Sequence, residues 1–272
     1  MAQRAWRGIA ASIVVALVGL VPFAPAHAEG PTPTGEEVMR QVDARPRGRD
    51  QSAHATWRLL APGGAERVRE TRNYWRDART GPDRKLHSQR LIVFESPPDV
   101  KGTAFLTWSA NTIDADDDQW IYLPALKKVR RIAVGDRGSS FVGTDFAYDD
   151  LAERQVEEDM HELLRTEEID GRRHYVVQSV PRGASPYAKR VSWVDAVNFT
   201  VPQIQLYAAS GELVKTLSAR WRPVQDIFTW ERLEMKNERT GHRTVVEVDQ
   251  VIYDRGLGED LFTENALRAG AP

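Results

Sequence analysis

The chain has 272 residues and a mass of 30.7 kDa, and is 41% hydrophobic and 28% charged, a globular composition that excludes collagen-like and wholly disordered readings. Lys and Arg total 37 against 39 Asp and Glu, a formal charge of −2, which argues against a dedicated nucleic-acid binder with its strong basic excess. There is no cysteine, so disulfides, zinc–thiolate sites, a cysteine nucleophile and a lipidated cysteine are excluded.

Arg4 and Arg7 precede an apolar run from Ile9 to Phe23, and Ala26-His27-Ala28 follows. Basic, apolar and small-x-small in that order predicts a secretory signal peptide over residues 1–28, cleaved before Glu29. The alternative is an uncleaved anchor, but the run is shorter than the roughly 20 residues of a spanning helix and Pro22 and Pro25 break its end. Losing Arg4 and Arg7 leaves 35 basic residues against 39 acidic, a net charge of −4. A soluble periplasmic protein is expected, with residues 29–272 forming a single β domain.

Thr34-Gly35-Glu36-Glu37 has the form of a capping box, and predicts a short helix from Gly35 to about Asp43 with Val38 and Val42 on one face. The period then becomes two. Ala55–Leu60, Arg67–Trp75, Arg90–Glu95, Thr103–Trp108, Gln119–Leu123, Lys128–Val134, Glu162–Ile169, Arg173–Ser179, Lys189–Trp193, Gln203–Tyr207, Leu213–Trp221, Trp230–Arg239 and Arg243–Tyr253 all read as strands, separated by Pro, Gly, Asn and Asp. Asp170-Gly171 is a strong hairpin signal. About eleven to thirteen antiparallel strands at ~8–12-residue spacing suit a sandwich or barrel. Gly135–Leu151 interrupts them with a Gly/Ser/Phe/Asp-rich stretch; an acidic helix is expected over Asp149–Glu158, and another helical piece over Gly258–Leu267.

Alternation sends Leu91 and Val93 to one face and Ile92 and Phe94 to the other; Ala104, Leu106 and Trp108 oppose Phe105; Trp120 and Tyr122 oppose Ile121 and Leu123. Strands apolar on both sides need a cover on each: a second sheet, a helix or an apolar ligand. Trp57, Trp75, Trp108, Trp120, Trp193, Trp221 and Trp230 all fall in or at the end of these strands. They are core fillers or the lining of a cavity.

No signature of catalysis stands out. The histidines are scattered without metal-ligand spacing. Asp114–Asp118 imitates the start of a calcium loop, but Gln119 stands where glycine is needed and Ala125 where glutamate is. Gly138-Ser139-Ser140 is not a nucleophile elbow. Lys127-Lys128-Val129-Arg130-Arg131 is the densest basic cluster. It is a solvated hairpin flank or a contact for an anionic group, with Arg130 or Arg131 facing a concave surface to pair with Asp145, Asp149 or a ligand phosphate.

Two segments carry a family resemblance. Trp120-Ile121-Tyr122-Leu123-Pro124 lies within Asp118–Ile132, and Ser140-Phe141-Val142-Gly143-Thr144-Asp145-Phe146 leads to Tyr148–Leu151. With Ser185-Pro186-Tyr187 through Arg190-Val191, Trp193-Val194-Asp195, Phe199 and Val201-Pro202, the chain resembles the outer-membrane lipoprotein-sorting (LolA-like) family from about Glu36 to Phe262. The resemblance implies a mainly β fold: a strongly curved antiparallel sheet forming an incomplete barrel, with an N-terminal helix and short covering helices. It also implies a non-catalytic periplasmic carrier that takes no cofactor and holds acyl chains of lipids or lipoproteins. Some relatives accompany exporters of the resistance-nodulation-division (RND) type. On this reading Phe94, Leu106, Trp108, Trp120 and Tyr122 line the hollow, with Arg130 as a polar contact. Phe141 and Phe146 sit on a lid loop made mobile by Gly138 and Gly143. A monomer is expected. The alternative is an interaction protein that docks on an envelope exporter and carries no ligand.

Overall fold

The computed structural model describes residues 32–79 and 85–269; the predicted signal peptide lies outside the described residues. Helix α1 (Gly35–Asp43) starts at the expected box: the Glu37 amide donates to Thr34 Oγ1 (3.2 Å), and the Thr34 amide donates to Glu37 Oε2 (2.7 Å). Thirteen strands follow: β1 (Asp50–Leu60), β2 (Glu66–Asp77), β3 (Leu86–Ser96), β4 (Ala104–Ala110), β5 (Asp118–Leu123), β6 (Lys128–Arg131), β7 (Asp159–Ile169), β8 (Arg172–Pro181), β9 (Lys189–Asp195), β10 (Gln203–Tyr207), β11 (Leu213–Val224), β12 (Ile227–Asn237) and β13 (Arg243–Tyr253). Helix α2 (Glu264–Ala269) follows a 3₁₀ turn at Glu259–Phe262, in place of the single helical piece expected there.

All thirteen strands form one antiparallel sheet in the order β6-β5-β4-β3-β2-β1-β13-β12-β11-β10-β9-β8-β7. Asp170 and Gly171 both take positive φ (51° and 72°) at the β7–β8 turn, the geometry that a tight two-residue hairpin requires. The sheet does not close: β6 and β7 are its edges. It does curl. Tyr148 O accepts from Gln119 of β5, Asp149 pairs with Arg190 of β9, and Asp150 with Lys215 of β11. Strands β5 and β9 are nine spacings apart in the sheet order, or about 40 Å if it were flat. Three consecutive residues reach both only if one face wraps around them.

The expected acidic helix over Asp149–Glu158 is replaced by two 3₁₀ turns, Asp149–Leu151 and Val156–Glu158, with Ala152 extended between them. The carboxylates are the reason. Asp149 pairs with Arg190, Glu153 with Arg47, and Glu157 with Arg40 of α1; partners on separate elements pull the segment into a strap. The basic hairpin also differs. Arg130 pairs with Asp136 (3.0 Å) and Arg131 with Asp118, and both side chains are 66% exposed, so neither meets Asp145 or Asp149. The acidic run Asp114–Asp118 is likewise used locally: Asp117 accepts the Ala110 amide (2.8 Å) and Asp116 lies 3.6 Å from Arg137.

Helix α1 lies on β7 and β8, with Val38 against Val177 and Val194. The approach is tight: a Cβ on Gly35 would sit 2.6–2.7 Å from the Glu162 and Leu163 backbone. Backbone cannot yield as a side-chain tip does, so Gly35→Ala is expected to cost about 1–3 kcal/mol. A lowered urea midpoint with an unchanged slope is the expected readout.

Candidate functional site

The wrapped face is apolar. Trp57 of β1, Ile92 and Phe94 of β3, Phe105 of β4, Ile121 of β5, Leu206 of β10, Leu233 and Met235 of β12 and Val246 of β13 form one buried cluster. The same cluster contains Phe141 and Phe146, from the connection between β6 and β7. Phe141 is fully buried; its ring centroid lies 5.2 Å from Phe105, 5.7 Å from Phe94 and 5.9 Å from Trp57, and Phe146 lies edge-on to Trp57 at 5.6 Å. The two phenylalanines occupy the space that a hollow would otherwise provide.

Local chemistry shapes this filler. Ser140 bridges Ala147, the Phe141 amide donates to Phe146 O (2.8 Å), and the Thr144 amide to Phe141 O (2.9 Å). Val142 and Gly143 turn the chain at φ 47° and 75°. Gly143 thus serves the tight turn, whereas a Cβ at Gly138 would meet Pro186 at 3.1 Å.

Polar latches then fasten the filler. Arg69 of β2 is 6% exposed and donates to Val142 O; burial pulls its pKa down. The Asp145 carboxylate accepts the Thr244 hydroxyl (2.7 Å) and lies 2.6 Å from His242 Nδ1, while its amide donates back to Thr244 Oγ1 (3.0 Å). Asp150 accepts the Ala147 amide (2.7 Å) and the Tyr187 hydroxyl (3.0 Å), with Lys215 at 3.4 Å. Burial, and then the Asp150 charge, push the Tyr187 phenol well above the usual range.

The eight predicted site residues divide. Phe94, Phe141 and Phe146 meet on the wrapped face. Leu106 and Trp120, with the partly buried Trp108 and Tyr122 beside them, form a second cluster on the opposite face under Phe262 and Leu267. Trp108 Nε1 donates to Phe262 O (2.8 Å), and its ring lies 4.9 Å from Trp120. Arg130 stands opposite Ile121 at the sheet edge, exposed. One hollow cannot be lined by both sets. The anchors Arg69 and His242 lie outside the segments that carry the resemblance, whereas Asp145 and Tyr187 lie within them.

A separate polar cleft of about 310 Å³ opens between residues 112–117, the strap and residues 182–184. Among its lining groups, Asp117 has its pKa raised from 3.8 to about 6, chiefly by burial, with the Ala110 amide opposing and the Glu158 charge adding. A carboxyl raised on folding favours the protonated fold, so its contribution is full below the unfolded value and is lost as pH rises from about 4 to 6. Asp117→Asn keeps the acceptor for Ala110 and removes the titration. It is expected to be more stable than the parent at pH 7 by on the order of 1–2 kcal/mol, and near parity at pH 4, as read from urea midpoints.

The DUF1329 family model, a protein family of unknown function, matches residues 8–156, and a second model, of an uncharacterized protein family, matches residues 87–269. Among solved structures the chain is similar to a domain from Vibrio parahaemolyticus described as an outer membrane lipoprotein-sorting protein domain, at 30% identity over 86% of this chain and 98% of that one, with TM-score 0.80. It is similar to a DUF1329 family protein from Desulfovibrio piger at 29% identity over 86% and 97%, with TM-score 0.81. A LolA superfamily protein from Nitrosomonas europaea shares the fold at 20% identity over 86% and 100%, with TM-score 0.68. No curated protein matches the chain.

Proposed function

The chain belongs to the DUF1329 family, and from that premise we propose that it is a non-catalytic periplasmic carrier or binding protein for a lipid, lipidated protein or other hydrophobic ligand. The observation that carries this reading is the wrapped apolar face occupied by two phenylalanines of the chain's own strap. A face that only needed filling could be filled by strand side chains. Here the filler is a hairpin tied down at its rim by polar latches, which can be released. The lipoprotein-sorting description of the Vibrio relative points the same way.

Magnitudes allow the exchange. Burying two Phe side chains is worth about 3–6 kcal/mol. An acyl chain gains roughly 0.8 kcal/mol per buried CH₂, so about eight methylenes match the filler and longer chains outcompete it. Phe94 with Phe105 and Ile121 forms the floor on this reading, and Phe141 and Phe146 are the part that moves. Leu106, Trp108, Trp120 and Tyr122 belong to the opposite face and serve stability.

Native mass spectrometry of protein taken from its own periplasm without detergent tests the reading. A co-purifying lipid is expected. Lipid-free protein that recovers an RND-type exporter favours docking without cargo and overturns carriage. Phe141→Ala weakens the filler and is expected to tighten binding of a fluorescent acyl probe at least about tenfold, while Trp108→Ala leaves it within about twofold. Unchanged binding in Phe141→Ala would remove the strap from the mechanism.

A further inference from the structure

Beyond the phenylalanines, the wrapped face turns polar. The register places Trp75, Arg90, Thr107 and Gln119 side by side on β2 to β5. They share the face of Phe94 and Phe105, and Arg90 is four residues from Phe94, about 13 Å along β3. The half-buried Arg90 side chain makes no hydrogen bond or ion pair with the described residues; desolvation lowers its pKa, and the Glu153 charge opposes that. Thr107 Oγ1 and Gln119 Oε1 are buried without partners. Buried polar atoms without partners are costly unless a hydrogen-bonding group reaches them, and a half-buried cation beside them favours an anion there.

One anion already stands beside them. Glu153, on the same strap as Phe141 and Phe146, is 22% exposed. Its carboxylate accepts Trp75 Nε1 (3.0 Å) and Arg47, and lies 3.5 Å from His87 Nε2. The Glu153 amide donates to Ser109 Oγ (3.4 Å). Burial raises the Glu153 pKa, but hydrogen bonds from His87 and Ser88 and the Arg47 charge outweigh it and hold the group ionised, well below the usual carboxylate range. Arg47 also binds Asp43 (2.5 Å), so it keeps a partner if Glu153 withdraws.

We propose that the strap is an internal mimic of the ligand: Phe141 and Phe146 stand in for its apolar chain, and Glu153 for a single anionic head that would sit among Arg47, Arg90, His87, Trp75 and Thr107. The inference rests on the carrier reading and narrows it to anionic amphiphiles, with a carboxylate or a phosphate as the head. Glu153 leaves with the strap when such a ligand enters, and the ligand's head takes its place as the negative charge beside Arg90.

Equilibrium dialysis of the detergent-free protein against palmitate, hexadecyl phosphate and hexadecanol tests this. The parent is expected to bind one or both anions at least about tenfold more tightly than the alcohol; the tighter of the two identifies the head as carboxylate or phosphate. Glu153→Gln is expected to tighten the preferred anion about tenfold and to leave hexadecanol within about threefold. Arg90→Met is expected to bring anion and alcohol within about threefold of each other. Equal affinity for all three probes in the parent, or an equal gain for all three in Glu153→Gln, overturns the mimic and leaves carriage standing. Failure of every probe to bind overturns carriage and the mimic together. If Arg90→Met does not fold, the parent's preference and Glu153→Gln decide.

Discussion

Strands β3, β4 and β5 are apolar on both faces, and this constraint organises the molecule. Leu91, Leu106 and Trp120 point one way and Ile92, Phe105 and Ile121 the other. Leaving either set against water forfeits about 1.5–3 kcal/mol per large side chain, so both faces are covered. The covers are built differently. On one side the segment leading to α2 is pinned at its start, where the buried Asp50 carboxylate accepts the amides of Arg255, Gly256 and Leu257. From there Phe262 and Leu267 pack permanently onto the sheet. On the other side the cover is a hairpin whose rim carries charges.

Polar latches around an apolar filler make a two-state element rather than a fixed core. Each latch pairs a group on the strap with one on a strand or at a strand's end: Val142 O with Arg69, Asp145 with Thr244 and with His242 just before β13, Asp149 with Arg190, Asp150 with Lys215. When the hairpin lifts, these strand groups return to water and are solvated, so the net cost of undoing them is small beside their strength in the closed form. The apolar face does not gain in the same way. Exposed, it is unfavourable until something oily replaces the filler, and ligand binding and release of the strap therefore become linked equilibria.

The strands and their inner and outer parity were legible in the sequence because alternation and turn residues are local. Ile92 with Phe94 against Leu91 with Val93 follows from the pleat alone. Which parity faces the inside of the curl is not local. Leu106 and Trp120 are as apolar as Phe105 and Ile121, and only the wrapping of distant strands separates them. Arg69 and Glu153 were invisible for a related reason. A single charged residue in a strand or loop reads as solvated, and their partners lie 73 and 78 residues away at Val142 and Trp75. The basic hairpin misled in the opposite sense. Its charge density drew attention, yet Arg130 and Arg131 are matched by the nearby Asp136 and Asp118.

The place of the filler follows from topology. Within each half of the sheet, successive strands pair with one another, β1 through β6 and β7 through β13, and the halves join where β1 meets β13. The chain must then pass from one edge, β6, to the other, β7, and the connection over residues 132–158 makes that passage. In a curled sheet the shortest route between the edges runs across the opening of the wrapped face. The segment that bridges the gap is therefore the segment best placed to fill it, and no separate lid is required. It also sets a limit on opening. Both ends of the strap are sheet edges, so motion that admits a ligand is confined between them, and the phenylalanines and Glu153 move as parts of one tethered span.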